Sequence, residues 1–172
     1  MSNPAKPVIV VSEPLNESSL EYLRAHGEVR TATAETAASA LADADALVVR
    51  TYTQVNEQLL AAAPKLKVVG RAGVAIENID VPACRARGVQ VVHTPKANTL
   101  AVVDYTVRMI VEMNRRFWPL PGYLPPEEFH KARKGIFGRF LSGATLGIVG
   151  CGRIGSRVGR AAAGLGMKVL YN

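Results

Sequence analysis

The chain reads TLGIVGCGRIGS over residues 145–156, an apolar run followed by three glycines in the spacing GxGxxG. The apolar run predicts a strand over Thr145–Val149, and the residues after the glycines predict a helix over Arg153–Leu165. A further apolar run predicts a second strand over Lys168–Tyr171. The stretch is therefore interpreted as one strand–helix–strand unit, the start of a Rossmann domain.

Each of the three glycines in this turn has a separate task. Gly150 permits the tight turn, Gly152 lets a pyrophosphate approach the backbone, and Gly155 lets the helix pack closely on the strand. The N–H groups near Arg153 and Ile154 then face the anion. The turn predicts a dinucleotide site, and a tight turn without a ligand is the alternative. The turn does not distinguish NAD from NADP, because the residue that does so is expected about 20 positions further on, past the end of this sequence.

Working back towards the start, short apolar runs alternate with helical patterns. Such alternation predicts a flavodoxin-like, doubly wound parallel sheet, in which the loops at the carboxyl ends of the strands form the ligand crevice. The predicted strands are Val8–Val11, Glu28–Thr31, Ala46–Arg50, Leu66–Gly70 and Val89–Val92. The predicted helices are Asn16–His26, Thr33–Ala42, Asn56–Ala63 and Val81–Arg87.

A longer helix is predicted from a capping Asn98 through Phe117, because apolar residues recur there at helical spacing. The residues from Trp118 to Ser142 begin with a proline-rich run and predict an irregular connection, with one helical turn near Glu127–Ala132. We therefore expect an incomplete substrate domain over residues 1–97. The interdomain helix, the connection and a truncated nucleotide-binding domain follow over residues 98–172.

Composition narrows the class of protein. The 172 residues are 48% hydrophobic and carry a formal charge of +7, which permits an anionic partner, although a solvated basic surface is the favoured interpretation. The two cysteines, Cys84 and Cys151, form no CxxC pair, so we expect small buried thiols, no disulfide, no zinc site and a cytoplasmic location. No apolar run approaches the roughly 20 residues that span a bilayer, and no membrane association is expected.

Three segments together resemble the D-isomer-specific 2-hydroxyacid dehydrogenase family. They are VVGRAGVAIENID at 68–80, TPKANTLAVVD at 94–104 and the glycine turn at 145–156, and they occur in the family's order. The resemblance covers nearly the whole chain and implies NAD-dependent hydride transfer between nicotinamide and a 2-hydroxy or 2-keto acid, with 3-phosphoglycerate one candidate. Ala75 stands where the family usually has glycine and is expected to reshape the substrate loop, whereas Glu77 replaces the usual aspartate and keeps a carboxylate.

The resemblance also implies roles for individual residues. Arg50 and Thr51 occupy the substrate-loop position, and Gly73 and Val74 match the loop whose N–H groups receive the substrate carboxylate. Val103 matches an apolar position beside the nicotinamide, and Gly150, Gly152, Arg153, Ile154 and Gly155 form the cofactor turn. A homodimer through the 98–117 helix is implied as well.

No catalytic residue is assigned within this sequence, because the family's arginine, glutamate and histidine lie further along. We therefore expect the 172-residue chain to be inactive alone. One alternative is a nucleotide-binding or corepressor-like interaction module without catalysis. Another is a nucleic-acid binder that uses the basic segment His130–Arg139, where aromatic residues interleave with cations. The shortness of that segment disfavours the second alternative.

Overall fold

The computed structural model describes residues 6–117, 119, 122–135 and 137–172. The chain divides into two compact units, Met1–Ala97 and Asn98–Asn172, called here the N-terminal and C-terminal units. Within the described residues, no helix is both long enough and apolar enough to span a membrane.

The N-terminal unit is built on a five-stranded parallel sheet with the order β2-β1-β3-β4-β5. Its strands are β1 Val8–Val11, β2 Glu28–Thr31, β3 Ala46–Val49, β4 Val68–Arg71 and β5 Gln90–His93. Its helices are α1 Glu17–His26, α2 Ala37–Ala40, α3 Glu57–Ala61 and α4 Val81–Ala86. This strand order is that of flavodoxin-like sheets, so the predicted fold is confirmed, with element ends that differ by a few residues.

The central strands hold the core of this unit. Val10, Leu47 and Val69, on three neighbouring strands, are fully buried, and Leu41 and Leu60 from the connecting segments pack into the same cluster. A parallel strand covered on both faces needs apolar side chains in both directions, which the β-branched runs supply. The sheet therefore fixes the positions at which the strands end and the ligand loops begin.

The second helix is much shorter than the sequence predicts. Its expected span was Thr33–Ala42, but only Ala37–Ala40 is helical. The Thr33 N–H donates to Thr36 Oγ1 at 2.9 Å, and the Thr36 N–H donates to Thr33 Oγ1 at 3.3 Å. Threonine hydroxyls that bond nearby amides offer the backbone an alternative to the helix, which explains the late start.

In its described residues, the C-terminal unit contains a two-stranded parallel sheet and three helices. Its strands are β6 Thr145–Ile148 and β7 Lys168–Tyr171, and its helices are α5 Thr99–Asn114, α6 Pro126–Gly135 and α7 Gly155–Gly164. The helix α7 connects the two strands and packs on both, as the predicted strand–helix–strand unit requires. The helix α5 packs against α7.

Two predictions for α5 are wrong. Asn98 precedes the helix, but its side chain makes no capping hydrogen bond. The helix ends at Asn114 and not at Phe117, since Arg115 has an extended backbone with φ −146°. The Asn114 side chain donates to the Ile110 carbonyl at 2.9 Å, and the Arg139 N–H donates to the Asn114 carbonyl at 2.8 Å. These bonds occupy the carbonyls at the helix end, so the chain turns away there.

The predicted connection contains more helix than expected in the part that the structure describes. A ten-residue helix, Pro126–Gly135, takes the place of the single expected turn. Proline lies at its first position, Glu127 and Glu128 lie in its first turn, and Arg133 and Lys134 lie in its last turn. Each of these favours helix, because proline is tolerated at that position and the charges complement the helix dipole. Residues 118, 120, 121 and 136 of the predicted connection lie outside the described residues.

Candidate functional site

The carboxyl ends of β1 and β3 meet at the switch point of the sheet, where chain connections leave in opposite directions. The two strands are neighbours, with β2 beyond β1 on one side and β4 beyond β3 on the other. Open α/β sheets bind ligands in the crevice at such a point. The loop after β1 begins with Ser12 and Glu13, and the loop after β3 runs from Arg50 to Thr53 and is called here the substrate loop.

Glu13 is buried beside the substrate loop and accepts hydrogen bonds from four consecutive amides of that loop. Its Oε1 accepts from the N–H groups of Arg50 at 2.9 Å and Thr53 at 3.0 Å. Its Oε2 accepts from Thr51 at 2.8 Å, and the Tyr52 N–H lies 3.1 Å from both oxygens. Burial alone raises the pKa of Glu13, but the four amide hydrogen bonds outweigh it and lower the pKa to about 2. The side chain is therefore a carboxylate at neutral pH.

Arg50 and Thr51, the predicted substrate contacts, are both exposed on this loop. The Nη1 atom of Arg50 donates to the Pro14 carbonyl at 3.0 Å. Among the described residues, no carboxylate forms an ion pair with the Arg50 guanidinium. The guanidinium thus retains N–H donors for a carboxylate or phosphate, the groups that its planar fork suits.

Arg71 is a second residue of this edge that the sequence reasoning did not assign to the site. Its side chain is buried at the end of β4 and donates from Nε to the Arg50 carbonyl at 2.8 Å. Its two remaining nitrogens donate to the Ala75 carbonyl and to Glu77 Oε1, the latter at 3.2 Å. One guanidinium therefore ties the substrate loop to residues 71–77, the segment that contains Gly73 and Val74.

The segment with Gly73 and Val74 is also tied to the end of β5. The Gly73 carbonyl accepts from the Thr94 N–H at 3.1 Å, and the Val74 carbonyl contacts His93 Nδ1 at 2.8 Å. The Gly73 N–H donates to the Arg71 carbonyl at 2.9 Å, whereas the Val74 N–H has no partner in the part of the chain that the structure describes. Val74 is thus the better placed of the two predicted amide donors.

Asn78 completes the supports of the substrate loop. Its buried side chain donates from Nδ2 to the carbonyls of Thr53 at 2.8 Å and Arg50 at 3.3 Å. Thr53 Oγ1 lies 2.8 Å from the hydroxyl of Ser12, and both side chains are buried. Like Glu13 and Arg71, Asn78 was absent from the sequence prediction, because its partner residues lie 25 and 28 positions away in the chain.

In the C-terminal unit, the geometry of the turn requires glycine at two of the three positions of the GxGxxG sequence. Gly150 has φ 93°, a backbone conformation that side-chain-bearing residues rarely adopt. A β-carbon on Gly155 would overlap the Gly150 carbonyl oxygen and lie 3.1 Å from Ile148 Cγ2, so this glycine allows α7 to approach β6 closely. A β-carbon on Gly152 would meet nothing within 4 Å, so open space lies beside that backbone.

The amides of the glycine turn are available as hydrogen-bond donors in the described part of the chain. None of the N–H groups of residues 151–155 has a hydrogen-bond partner among the described residues, and this run includes Arg153 and Ile154. The first hydrogen bond of the helix comes from the Ser156 N–H to the Gly152 carbonyl at 3.0 Å. Free amides and the positive end of a ten-residue helix form the environment that binds phosphate groups.

The remaining residues singled out in the sequence, Val103, Cys84 and Cys151, differ in their exposure to solvent. Val103 is buried on α5, as an apolar core or pocket residue requires. Cys84 is buried as predicted, and burial raises the pKa of its thiol, but Cys151 is exposed, contrary to prediction. Its place in the glycine turn, whose outer side is open, explains that exposure. The described residues contain no group of three metal-ligating side chains.

Comparison with known proteins identifies the family. Residues 9–165 match the D-isomer specific 2-hydroxyacid dehydrogenase catalytic domain. The D-3-phosphoglycerate dehydrogenase of Methanocaldococcus jannaschii is 39% identical over 166 residues, which are 94% of this chain and 31% of that protein. The chloroplastic D-3-phosphoglycerate dehydrogenase 2 of Arabidopsis thaliana is 36% identical over 169 residues, 96% of this chain and 27% of that protein.

Solved structures agree with this assignment. The NAD+-bound 3-phosphoglycerate dehydrogenase of Entamoeba histolytica superposes with a TM-score of 0.73 at 31% identity, over 98% of this chain and 54% of that one. The D-lactate dehydrogenase of Aquifex aeolicus, complexed with NAD and lactic acid, has a TM-score of 0.73 at 27% identity, over 95% of this chain and 50% of that one. The chain spans about a third of the curated relatives and about half of the solved ones. It belongs to the D-isomer specific 2-hydroxyacid dehydrogenase family.

Proposed function

We propose that this chain supplies the substrate loop and the pyrophosphate-binding turn of an NAD-dependent oxidoreductase that acts on a 2-hydroxy or 2-keto acid. The observation that carries the proposal is the run of unpartnered amides over residues 151–155, among the described residues, next to the open space at Gly152. The residues of this turn fit a dinucleotide, since they offer N–H donors where phosphate oxygens need them. When bound, the nicotinamide exchanges a hydride with the substrate carbon.

Arg50 and Val74 are the residues that we propose to bind the substrate. The Arg50 guanidinium has no carboxylate partner among the described residues, and the Val74 N–H is unpartnered in the same part of the chain. A 2-hydroxy acid offers a carboxylate to such donors, and a 3-phosphoglycerate offers a phosphate as well. The names of the relatives favour 3-phosphoglycerate as the substrate. These residues bind and orient the acid, and we assign proton transfer to no residue of this chain.

The proposal is tested by a matched pair of glycine variants. Gly152→Ala is expected to weaken NADH binding on the order of tenfold, equivalent to about 1.4 kcal/mol, because its methyl group enters the space that a pyrophosphate needs. The fold should be unchanged, since the added β-carbon meets nothing within 4 Å. Isothermal titration of the 172-residue chain with NADH at low salt measures the affinity, which we expect in the micromolar range for the wild type.

Gly164→Ala is the control, because a β-carbon there also meets nothing within 4 Å but lies at the other end of α7. It should bind NADH as the wild type does. Equal affinity of both variants and the wild type would show that the nucleotide does not lie on the turn.

We also infer a homodimer through residues 98–117. Apolar side chains of α5 are exposed, among them Leu100 at 66%, Tyr105 at 64% and Met113 at 84%. Exposed apolar side chains on one helix are typical of a subunit contact. Sedimentation equilibrium should return twice the chain mass of 18.4 kDa, and a monomer mass at all concentrations up to the millimolar range would contradict the inference.

A further inference from the structure

The acceptor capacity of Glu13 is consumed by the substrate loop. A carboxylate is acceptor-only and has about four lone-pair sites. Four amides of the loop, those of residues 50–53, donate to it at 2.8–3.1 Å. Glu13 is 6% exposed. It therefore has no room to contact a substrate, and whatever it does for function it does through the loop.

The carbonyl side of the same loop is held independently. The Arg50 carbonyl accepts from Arg71 Nε at 2.8 Å and from Asn78 Nδ2 at 3.3 Å. The Arg50 N–H donates to Glu13 and the Arg50 carbonyl accepts from two side chains, so both peptide groups of this residue are fixed by hydrogen bonds. Its guanidinium is steered as well, because it donates to the carbonyl of Pro14, the residue that follows Glu13.

We propose that Glu13 is the positioning residue of the substrate loop. Its hydrogen bonds to the amides of residues 50–53 fix the backbone of the loop before the substrate binds, so that the Arg50 side chain is placed to contact the anionic group of the substrate. This inference rests on the proposed function, because it takes Arg50 as a substrate contact. A preset loop avoids the loss of conformational freedom on binding that a mobile loop incurs. The Arg50 guanidinium also stays available, since the acceptor sites of Glu13 are occupied by four amides and no described carboxylate forms an ion pair with Arg50.

The test uses D-3-phosphoglycerate as the probe and the whole chain as the protein, measured by isothermal titration. Glu13→Gln is expected to weaken binding tenfold or more, since an amide cannot accept at both atoms. Arg50→Ala should weaken it similarly, and the double variant no further than Arg50→Ala alone, because Glu13 acts through Arg50. Glu13→Asp keeps the charge but is one methylene shorter, so its affinity should lie between the wild type and Glu13→Gln.

Glu21→Gln is the matched control, because Glu21 is exposed on α1 and forms neither a hydrogen bond nor an ion pair among the described residues. It should bind the probe as the wild type does. Affinity of Glu13→Gln within twofold of the wild type would overturn the proposal, as would an additive further loss in the double variant. If Glu13→Gln does not fold, Glu13→Asp carries the comparison, and wild-type affinity for it overturns the proposal equally.

Amide hydrogen exchange without the probe separates this inference from the proposed function. In the wild type, the amides of residues 50–53 should exchange slowly, and Glu13→Asp and Glu13→Gln should speed their exchange at least tenfold while Glu21→Gln does not. If the wild type fails to bind D-3-phosphoglycerate, the substrate assignment fails, but accelerated exchange still supports the positioning of the loop by Glu13. Unchanged exchange overturns it whether or not the probe binds.

Discussion

Replacing Glu13 with glutamine is expected to lower the free energy of unfolding by about 3 kcal/mol at pH 7. The value follows from the pKa of Glu13, which is about 2 in the folded chain, compared with the ordinary value of 4.5 that we take for the unfolded chain. Four amides donate to the carboxylate, and a glutamine side chain presents an NH₂ group to some of them. Urea unfolding followed by circular dichroism measures the change.

The stabilisation by Glu13 should disappear in acid. Because folding lowers its pKa, the carboxylate contributes fully above pH 4.5 and loses that contribution as the pH falls towards 2. The difference in unfolding free energy between wild type and Glu13→Gln should therefore shrink over that window. The exposed Glu21→Gln variant should track the wild type throughout. A constant difference between pH 7 and pH 2.5 would show that the four amides do not depend on the charge.

Gly155→Ala is expected to destabilise the C-terminal unit by about 2 kcal/mol, the cost of overpacking a close contact. The added β-carbon would overlap the Gly150 carbonyl oxygen, which is backbone and cannot rotate aside, and would lie 3.1 Å from Ile148 Cγ2. The shift of α7 away from β6 should also abolish NADH binding. Hydrogen exchange of the α7 amides reports the local stability, and titration reports the binding.

The control for Gly155→Ala is Gly164→Ala, on the same helix but facing open space. It should leave stability unchanged or raise it, because alanine favours helix over glycine by up to about 1 kcal/mol. If both variants exchange at the same rate, the helix is not held close to the strand by the absent side chain, and the role assigned to Gly155 is wrong.

The sequence predicts those features of the chain that depend on local pattern. Short β-branched runs such as Val8–Val11, which alternate along the chain with helical patterns, predict the parallel sheet. The flavodoxin-like strand order is confirmed. The predicted tasks of Gly150 and Gly155 follow from the backbone of a single tight turn, and the positive φ of Gly150 and the close approach at Gly155 agree with them.

Features that depend on contacts distant in sequence were not predicted. Glu13 bonds residues 37–40 positions away, and Arg71 reaches Arg50 across 21 positions, so neither role has a local signal. The one available hint was that both residues lie where a buried strand ends, at the ligand edge of the sheet. Competition between local hydrogen bonds explains the late start of α2, because Thr33 and Thr36 bond each other's amides.

A nitrogen-15 spectrum of the chain, recorded during titration with NADH, tests most directly whether the glycine turn binds the nucleotide. We expect the amides of residues 151–155 to shift in proportion to bound NADH, because these groups are unpartnered among the described residues and face a phosphate when the nucleotide binds. The spectrum of Gly152→Ala should show smaller shifts at the same NADH concentration. Saturable NADH binding that leaves these amides unmoved, or no binding at all, would contradict the assignment of the turn.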